Sequence, residues 1–313
     1  MRSSLFFGSS VLVAALFAAA ACSDSSSTGD PAATQEAGPG ADAAVAPEDA
    51  AEDTATASDG GKDAEEPLTS ATEVEPNNGA TKTEVGTMKL PGIMNGKIDP
   101  VSDVDLFTID LTPGDFWEWS AAPTTADLAP HITVCDIAAG GLNPTVVGYA
   151  AAGATAKLQH FVLRPGTFVM GMRDARNIPA PGTKGGPTFG YAVTAKRAAP
   201  QPVSVTFPIT KTGKLASVGS VDLYTFPGTG GKGFDIVVNA ARKQPASTLD
   251  SRLSLFDLTA KKAIITNDNA SGSTTDSQIG GADPLPSTYL VIVENEGKNE
   301  ADLSYEIQFK LRP

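Results

Sequence analysis

The sequence predicts an all-β protein: two tandem antiparallel β-sandwich (jelly-roll-like) domains behind a disordered N-terminal tether. Three observations carry that expectation. From about Glu73 onward, Val, Ile, Leu, Phe and Thr alternate with polar residues, turn signals recur about every ten residues, and no helical period is sustained. The phrase "DVDLFTI" at Asp103–Ile109 returns as "SVDLYTF" at Ser220–Phe226. Before Glu73, a long stretch of Ala, Asp, Glu, Ser and Pro holds no aromatic residue and cannot bury enough apolar surface to offset the entropy of ordering.

The N-terminus reads as an export signal over residues 1–21. Arg2 supplies a positive start, and Val11–Ala21 is an apolar run too short to span a bilayer, ending in small residues. "AAAACSDSSS" resembles a bacterial lipobox, which makes Cys22 the lipidated first residue of the mature chain and gives the protein a membrane anchor. Ser23 lacks the charge of an inner-membrane retention signal, so the outer membrane is the expected location.

Residues 22–72 form the tether. The net charge of −13 suggests a basic partner only until it is localised. Residues 23–72 carry twelve acids against Lys62 alone, and without them and Arg2 the remainder stands at −3. The acidity belongs to an extended leash, and nothing points to nucleic acid. The second cysteine, Cys135, has no evident partner once Cys22 is lipidated, so no disulfide framework is expected and a small buried hydrophobe is the better reading.

The two copies align block by block. "NGKIDPVSDVDLFTI" faces "TGKLASVGSVDLYTF", "GDFWEWSAA" faces "GFDIVVNAA", and "LAPHITVCD" faces "LDSRLSLFD". "LRPGTFVMGM" faces "LPSTYLVIVE", and "FGYAVTAK" faces "LSYEIQFK". The boundary falls near "AAPQP" (Ala198–Pro202), which gives sandwiches over 73–198 and 199–313, each large enough for its own core. Trp117 and Trp119 of "FWEWS" lie on one side of a strand, aligned with Ile236 and Val238, as core residues.

"EVEPNN", "GKI…DVDLFTI", "LRPGTFVMGM" and "GYAVTA" together resemble the bacterial pre-peptidase C-terminal (PPC) domain, over Glu73 to about Lys196. The likeness returns over about Val203 to Leu311 without the opening motif. The resemblance implies a jelly-roll-like sandwich that serves as a non-catalytic appendage of secreted proteases. Related domains of clostridial collagenases bind collagen and take calcium through an acidic opening segment. On that pattern Glu73, Glu75, Asn77 and Asn78, with Asp103 and Asp105 ahead of the first long strand, form a calcium site, since a hard cation wants six to eight oxygens, several of them anionic. The second copy keeps Asp222 but not the acidic opening, so no matching site is expected there.

Other motifs point away from catalysis. "GTGGKG" at Gly228–Gly233 precedes a strand, whereas a phosphate loop needs a helix. "NDNASGSTTDS" at Asn267–Ser277 lacks the spaced acids and distal glutamate of a calcium loop. His131 and His160 sit in predicted strands with no nucleophile in a recognisable context. The expected function is a non-catalytic cell-surface module for a polysaccharide or extracellular protein, monomeric, with no cofactor beyond calcium in the first sandwich. A small secreted hydrolase or protease accessory, and a purely structural envelope protein, are the alternatives.

Overall fold

A computed structural model describes residues 66–78, 85–137, 143–178, 182–228, 230, 233–271, 274–281, 286–296 and 301–312. The signal over 1–21, Cys22 and the tether as far as residue 65 lie outside the described residues.

The first sandwich comprises β1 (Thr69–Thr72), β2 (Gly86–Thr87), β3 (Gly92–Lys97), β4 (Val104–Leu111), β5 (Phe116–Pro123), β6 (Pro130–Asp136), β7 (Asn143–Tyr149), β8 (Ala156–Phe161), β9 (Gly166–Asp174) and β10 (Gly190–Ala198). The second comprises β11 (Val203–Ser204), β12 (Ile209–Leu215), β13 (Asp222–Gly228), β14 (Phe234–Asn239), β15 (Ser251–Asp257), β16 (Lys262–Asn267), β17 (Gln278–Gly281), β18 (Ser287–Asn295) and β19 (Leu303–Leu311). Among the described residues the only helical element is a 3-10 turn at Ala175–Asn177.

The sheets run β1-β3-β10-β5-β8 and β2-β4-β9-β6-β7 in the first sandwich, and β12-β19-β14-β17 and β11-β13-β18-β15-β16 in the second. Strand for strand this is one topology twice, with β1 as the single addition. Even the irregularities repeat: β6 is bulged at Val134/Cys135 and β15 at the aligned Leu255/Phe256. The pairing is antiparallel except at the short edges, where β1, β2 and β11 run parallel to β3, β4 and β13. The first strand begins at Thr69, four residues inside the stretch read from sequence as tether. Its side chains are polar or small and exposed, so only main-chain pairing marks it as a strand.

Alternation of apolar and polar side chains builds two separate cores. One holds Trp117, Trp119, Phe107, Ile132 and Met170, and the other Ile236, Leu253, Val291 and Phe309. The indoles of Trp117 and Trp119 stand 6.2 Å apart inside the first. The aligned residues differ from the block alignment by two positions. Trp119 pairs with Ala195 and Leu158, as Ile236 pairs with Phe309 and Ile279, so Trp119 corresponds to Ile236 and Trp117 to Phe234. A slip of two preserves the face, which is why the core assignment is right although the partner residues are not.

A third apolar cluster joins the sandwiches. Phe116 and Phe161 project from the outer face of the β5–β8 pair onto Leu223, Phe256, Leu290 and Ile292, on the outer face of β13, β15 and β18. The rings of Phe161 and Phe256 meet edge-on at 5.0 Å. The two sandwiches therefore share a seam in addition to their own cores.

Candidate metal centre

The acidic opening is carried to the first sandwich by β1. Thr72 pairs with Asn95 of β3, and the Glu73 amide extends the ladder by donating to the Asn95 carbonyl at 2.9 Å. This fixes the Glu73 side chain over the β3–β10 pair. Its Oε1 accepts from the Lys97 amide at 2.5 Å, and its Oε2 accepts from the Tyr191 hydroxyl at 2.8 Å. Tyr191 stands opposite Gly96 in the ladder. Gly96 carries no side chain for a direct reason: a Cβ there would run into the Glu73 carboxylate and the Tyr191 hydroxyl.

Asp105 comes from the other sheet. On β4 it shares the inward face with Phe107, Ile109 and Leu111, which places a carboxylate at the end of an apolar stripe, fully buried. Its Oδ2 accepts from the Tyr191 hydroxyl at 2.7 Å. A phenol has one proton to give, yet two carboxylates crowd this one. Burial, and then the charge of Glu73, push the Asp105 carboxyl up to about 9. Glu75 is also raised, by desolvation first and by Asp103, Glu73 and Asp99 through their charge.

Ligand oxygens of Glu73, Glu75 and Asp105 lie within 4.8 Å of one another. Asn77 completes the cup. Its carbonyl accepts from the Leu106 amide at 3.0 Å, its amide donates to Glu75 Oε2 at 3.0 Å, and its Nδ2 donates to Glu73 Oε2 at 3.2 Å. Asn77 is 1% exposed and Asp105 0% exposed, and in each Oδ1 is buried with no hydrogen-bond partner. Unpaired buried acceptors are costly, and here they lie beside three clustered carboxyl groups. The group could hold a metal ion, and an all-oxygen donor set suits a hard divalent cation.

Not every residue expected in the site joins that group. Asp103 Oδ1 accepts from Asn78 Nδ2 at 3.1 Å and from the Val104 amide at 2.9 Å, while Oδ2 accepts from the Asp99 amide at 3.0 Å. Asp103 and Asn78 thus pin the turn into β4, and Asp103 acts on the centre by its charge. Tyr191 and Gly96 were missed by sequence reasoning. The signal that reveals them is their recurrence, since Gly213 and Tyr305 occupy the same register in the second sandwich.

The second copy keeps one of these carboxylates and replaces another. Tyr305 donates to Asp222 Oδ2 at 2.5 Å, as Tyr191 does to Asp105. Where Tyr191 meets Glu73, Tyr305 meets the hydroxyl of Tyr224 at 2.9 Å, and Tyr224 aligns with Phe107. A neutral phenol replaces a carboxylate and the cluster closes on itself.

The remaining candidates fall into structural places. Gly228 ends β13 and β14 follows at Phe234, so "GTGGKG" connects strands. In "NDNASGSTTDS", Asn267 ends β16, and the buried Asp276 accepts from the Ala240 and Ala241 amides at 2.5 and 2.8 Å. His131 and His160 are buried, and desolvation lowers both to about 3, helped by Arg173 and Arg252 respectively. Cys135 is buried as a free thiol that desolvation pushes up to about 11, far from a reactive thiolate.

No protein-family model and no curated protein matches the chain. Among solved structures it is similar to the pre-peptidase C-terminal domain of a collagenase from Bacillus anthracis, at 18% identity over 36% of this chain and 98% of that one, with a TM-score of 0.30. It is also similar to the M60 catalytic domain with two CBM51 domains from Clostridium perfringens ZmpB, at 9% identity over 66% of this chain and 33% of that one (TM-score 0.22). A third is the PBSX exported protein XepA, at 10% identity over 70% of this chain and 84% of that one (TM-score 0.24).

Proposed function

We propose that the chain is a non-catalytic cell-surface binding module, built from two PPC-type sandwiches and held to the outer membrane through a lipid on Cys22, with calcium in the first sandwich. The observation that carries the calcium assignment is the pair of orphaned buried oxygens, Asn77 Oδ1 and Asp105 Oδ1, beside the carboxylates of Glu73 and Glu75. Glu73, Glu75, Asn77 and Asp105 would hold the ion, with Asp103 adding long-range charge. The ion's contribution is structural: it neutralises the opening segment and locks it across both sheets. The non-catalytic reading is supported by the burial of both imidazoles and the only described thiol away from solvent. The acidic tether supplies reach from the anchor.

Calorimetry of the full chain tests the centre. A ligand at a hundred times its Kd adds about 2.7 kcal/mol, which for a body of this size raises Tm by roughly 5–10 °C. Millimolar calcium should give such a rise over EDTA, Glu75→Ala should remove it, and Asp222→Asn in the second sandwich should leave the rise intact. Coincident curves in calcium and EDTA would sink the assignment. The binding role is tested by capture of the full chain on peptidoglycan, polysaccharides and fibrous proteins. A chain that none of them retains is not a binding module for these ligand classes.

A further inference from the structure

The outer face of the β10–β5–β8 sheet changes character along its length. Strand register lays three rows across it: Ala198, Phe116 and Phe161, then Lys196, Glu118 and Gln159, then Thr194, Ser120 and Lys157. The second sandwich lies on the apolar first row. The next two rows are polar and form the floor of a cleft of about 380 Å³, walled by the Ser217–Ser220 turn of the second sandwich. That volume is within the range of small-ligand sites.

Hydrogen bonds tie the corner together. The Gln159 amide donates to the Gly219 carbonyl at 2.7 Å, and the Val221 amide donates to Gln159 Oε1 at 3.2 Å. Gly219 has a φ of 72°, and a Cβ there would press on the carbonyls of Val147 and Lys157, so the turn sits closer to β8 than any side chain would permit. Neither sandwich alone has this cleft. It exists because the seam holds the two at a fixed angle.

We propose that this cleft binds a segment of an acidic polysaccharide, an inference that rests on the binding-module reading and names its ligand class. The floor offers the hydroxyls of Thr194 and Ser120 and the amide of Gln159, which suits a polyol. Lys157 and Lys196 mark opposite corners, two strands and two residues apart, with Cα atoms roughly 12 Å from each other. Glu118 faces Lys196 and accepts from Gln159 Nε2 at 3.3 Å, whereas Lys157 has Ser120 as its register partner. The ammonium of Lys157, beside the neutral Ser120 on a hydroxylated floor, suits a chain that carries carboxylates. The indole of Trp119 is turned into the core, so the floor gives a neutral sugar no stacking platform.

The test uses the full chain in EDTA, so that calcium bridging at Glu73 plays no part. The probes are an oligogalacturonate and a neutral galactan, and binding is measured by calorimetric titration. The acidic oligomer should bind, weaken as salt is added, and lose about tenfold or more with Lys157→Glu/Lys196→Glu. Lys211→Glu/Lys310→Glu, on the second sandwich, should leave binding unchanged. Equal binding by the cleft variant, or equal binding of the galactan, overturns the proposal. Failure to bind the oligomer by a chain still retained on another matrix also overturns it and leaves the module reading standing. A chain retained on none of the matrices removes both.

Discussion

At the scale of single residues, the first sandwich is defined by polar groups in places that normally hold hydrocarbon. Asp105 stands at the end of an apolar stripe, and His160 faces the core with neither ring nitrogen hydrogen-bonded, 5.9 Å from the Phe168 ring. The second sandwich has Gly281 at the position of His160. Desolvation holds the folded-state pKa of His160 below its unfolded value of about 6.5. The unfolded chain therefore binds the extra proton, and stability is lost as pH falls from about 6.5 toward 3. His160→Phe removes that group. Its stability relative to the parent should improve by about 1.4 kcal/mol per pH unit between pH 6 and 4, measured by urea unfolding. A difference that stays flat with pH would show that His160 is protonated in the fold.

At the scale of elements, most strands announce themselves by alternation, and the exceptions are instructive. β1 has no buried side chain, so nothing in its residue pattern separates it from tether. It becomes a strand because β3 presents an edge and because Glu73, just beyond it, is anchored by Lys97 and Tyr191. Deleting residues up to Thr72 should leave the acids in the chain but weaken calcium binding about 10–100-fold, the usual cost of losing the support behind a ligand. Unchanged affinity in a calcium titration would mean that β1 does not position Glu73. The centre was legible in "EVEPNN" and "DVD" to the level of residue type. Which acids converge was not, because Asp103 and Asp105 sit two apart yet end respectively in a turn and in the core. Tyr191, 118 positions from Glu73, becomes part of the centre only through the β3–β10 pairing.

At the scale of the whole molecule, the repeat is not used symmetrically. The seam joins one sheet of the first sandwich to the non-equivalent sheet of the second, a head-to-tail contact that in a longer array would continue. The matching row of the second sandwich is different. The positions matching Phe116 and Ala198 are Gly233 and Arg312, and Arg312 is paired with Asp235 at 2.7 Å. The described positions of that row carry no large apolar side chain in the second sandwich. The sheet that meets the seam in one sandwich therefore has its counterpart outside the seam in the other. Phe256→Ala should cost about 3–5 kcal/mol and split thermal unfolding into two transitions as the sandwiches uncouple. A single transition at lower temperature would show that they remain one cooperative unit without that ring.

The sequence by itself determined the all-β class, the duplicated sandwich and the residue types of the centre. Alternation and recurrence are local properties that a chain carries in its order. Tertiary structure alone decided that Tyr191 shares its proton with two acids, that Tyr224 replaces a charge in the second copy, and that a polar cleft opens beside an apolar seam. Those facts depend on which strands become neighbours and at what register. Pairing across more than a hundred residues is fixed by the packing of two sheets and is not written in any short stretch of chain.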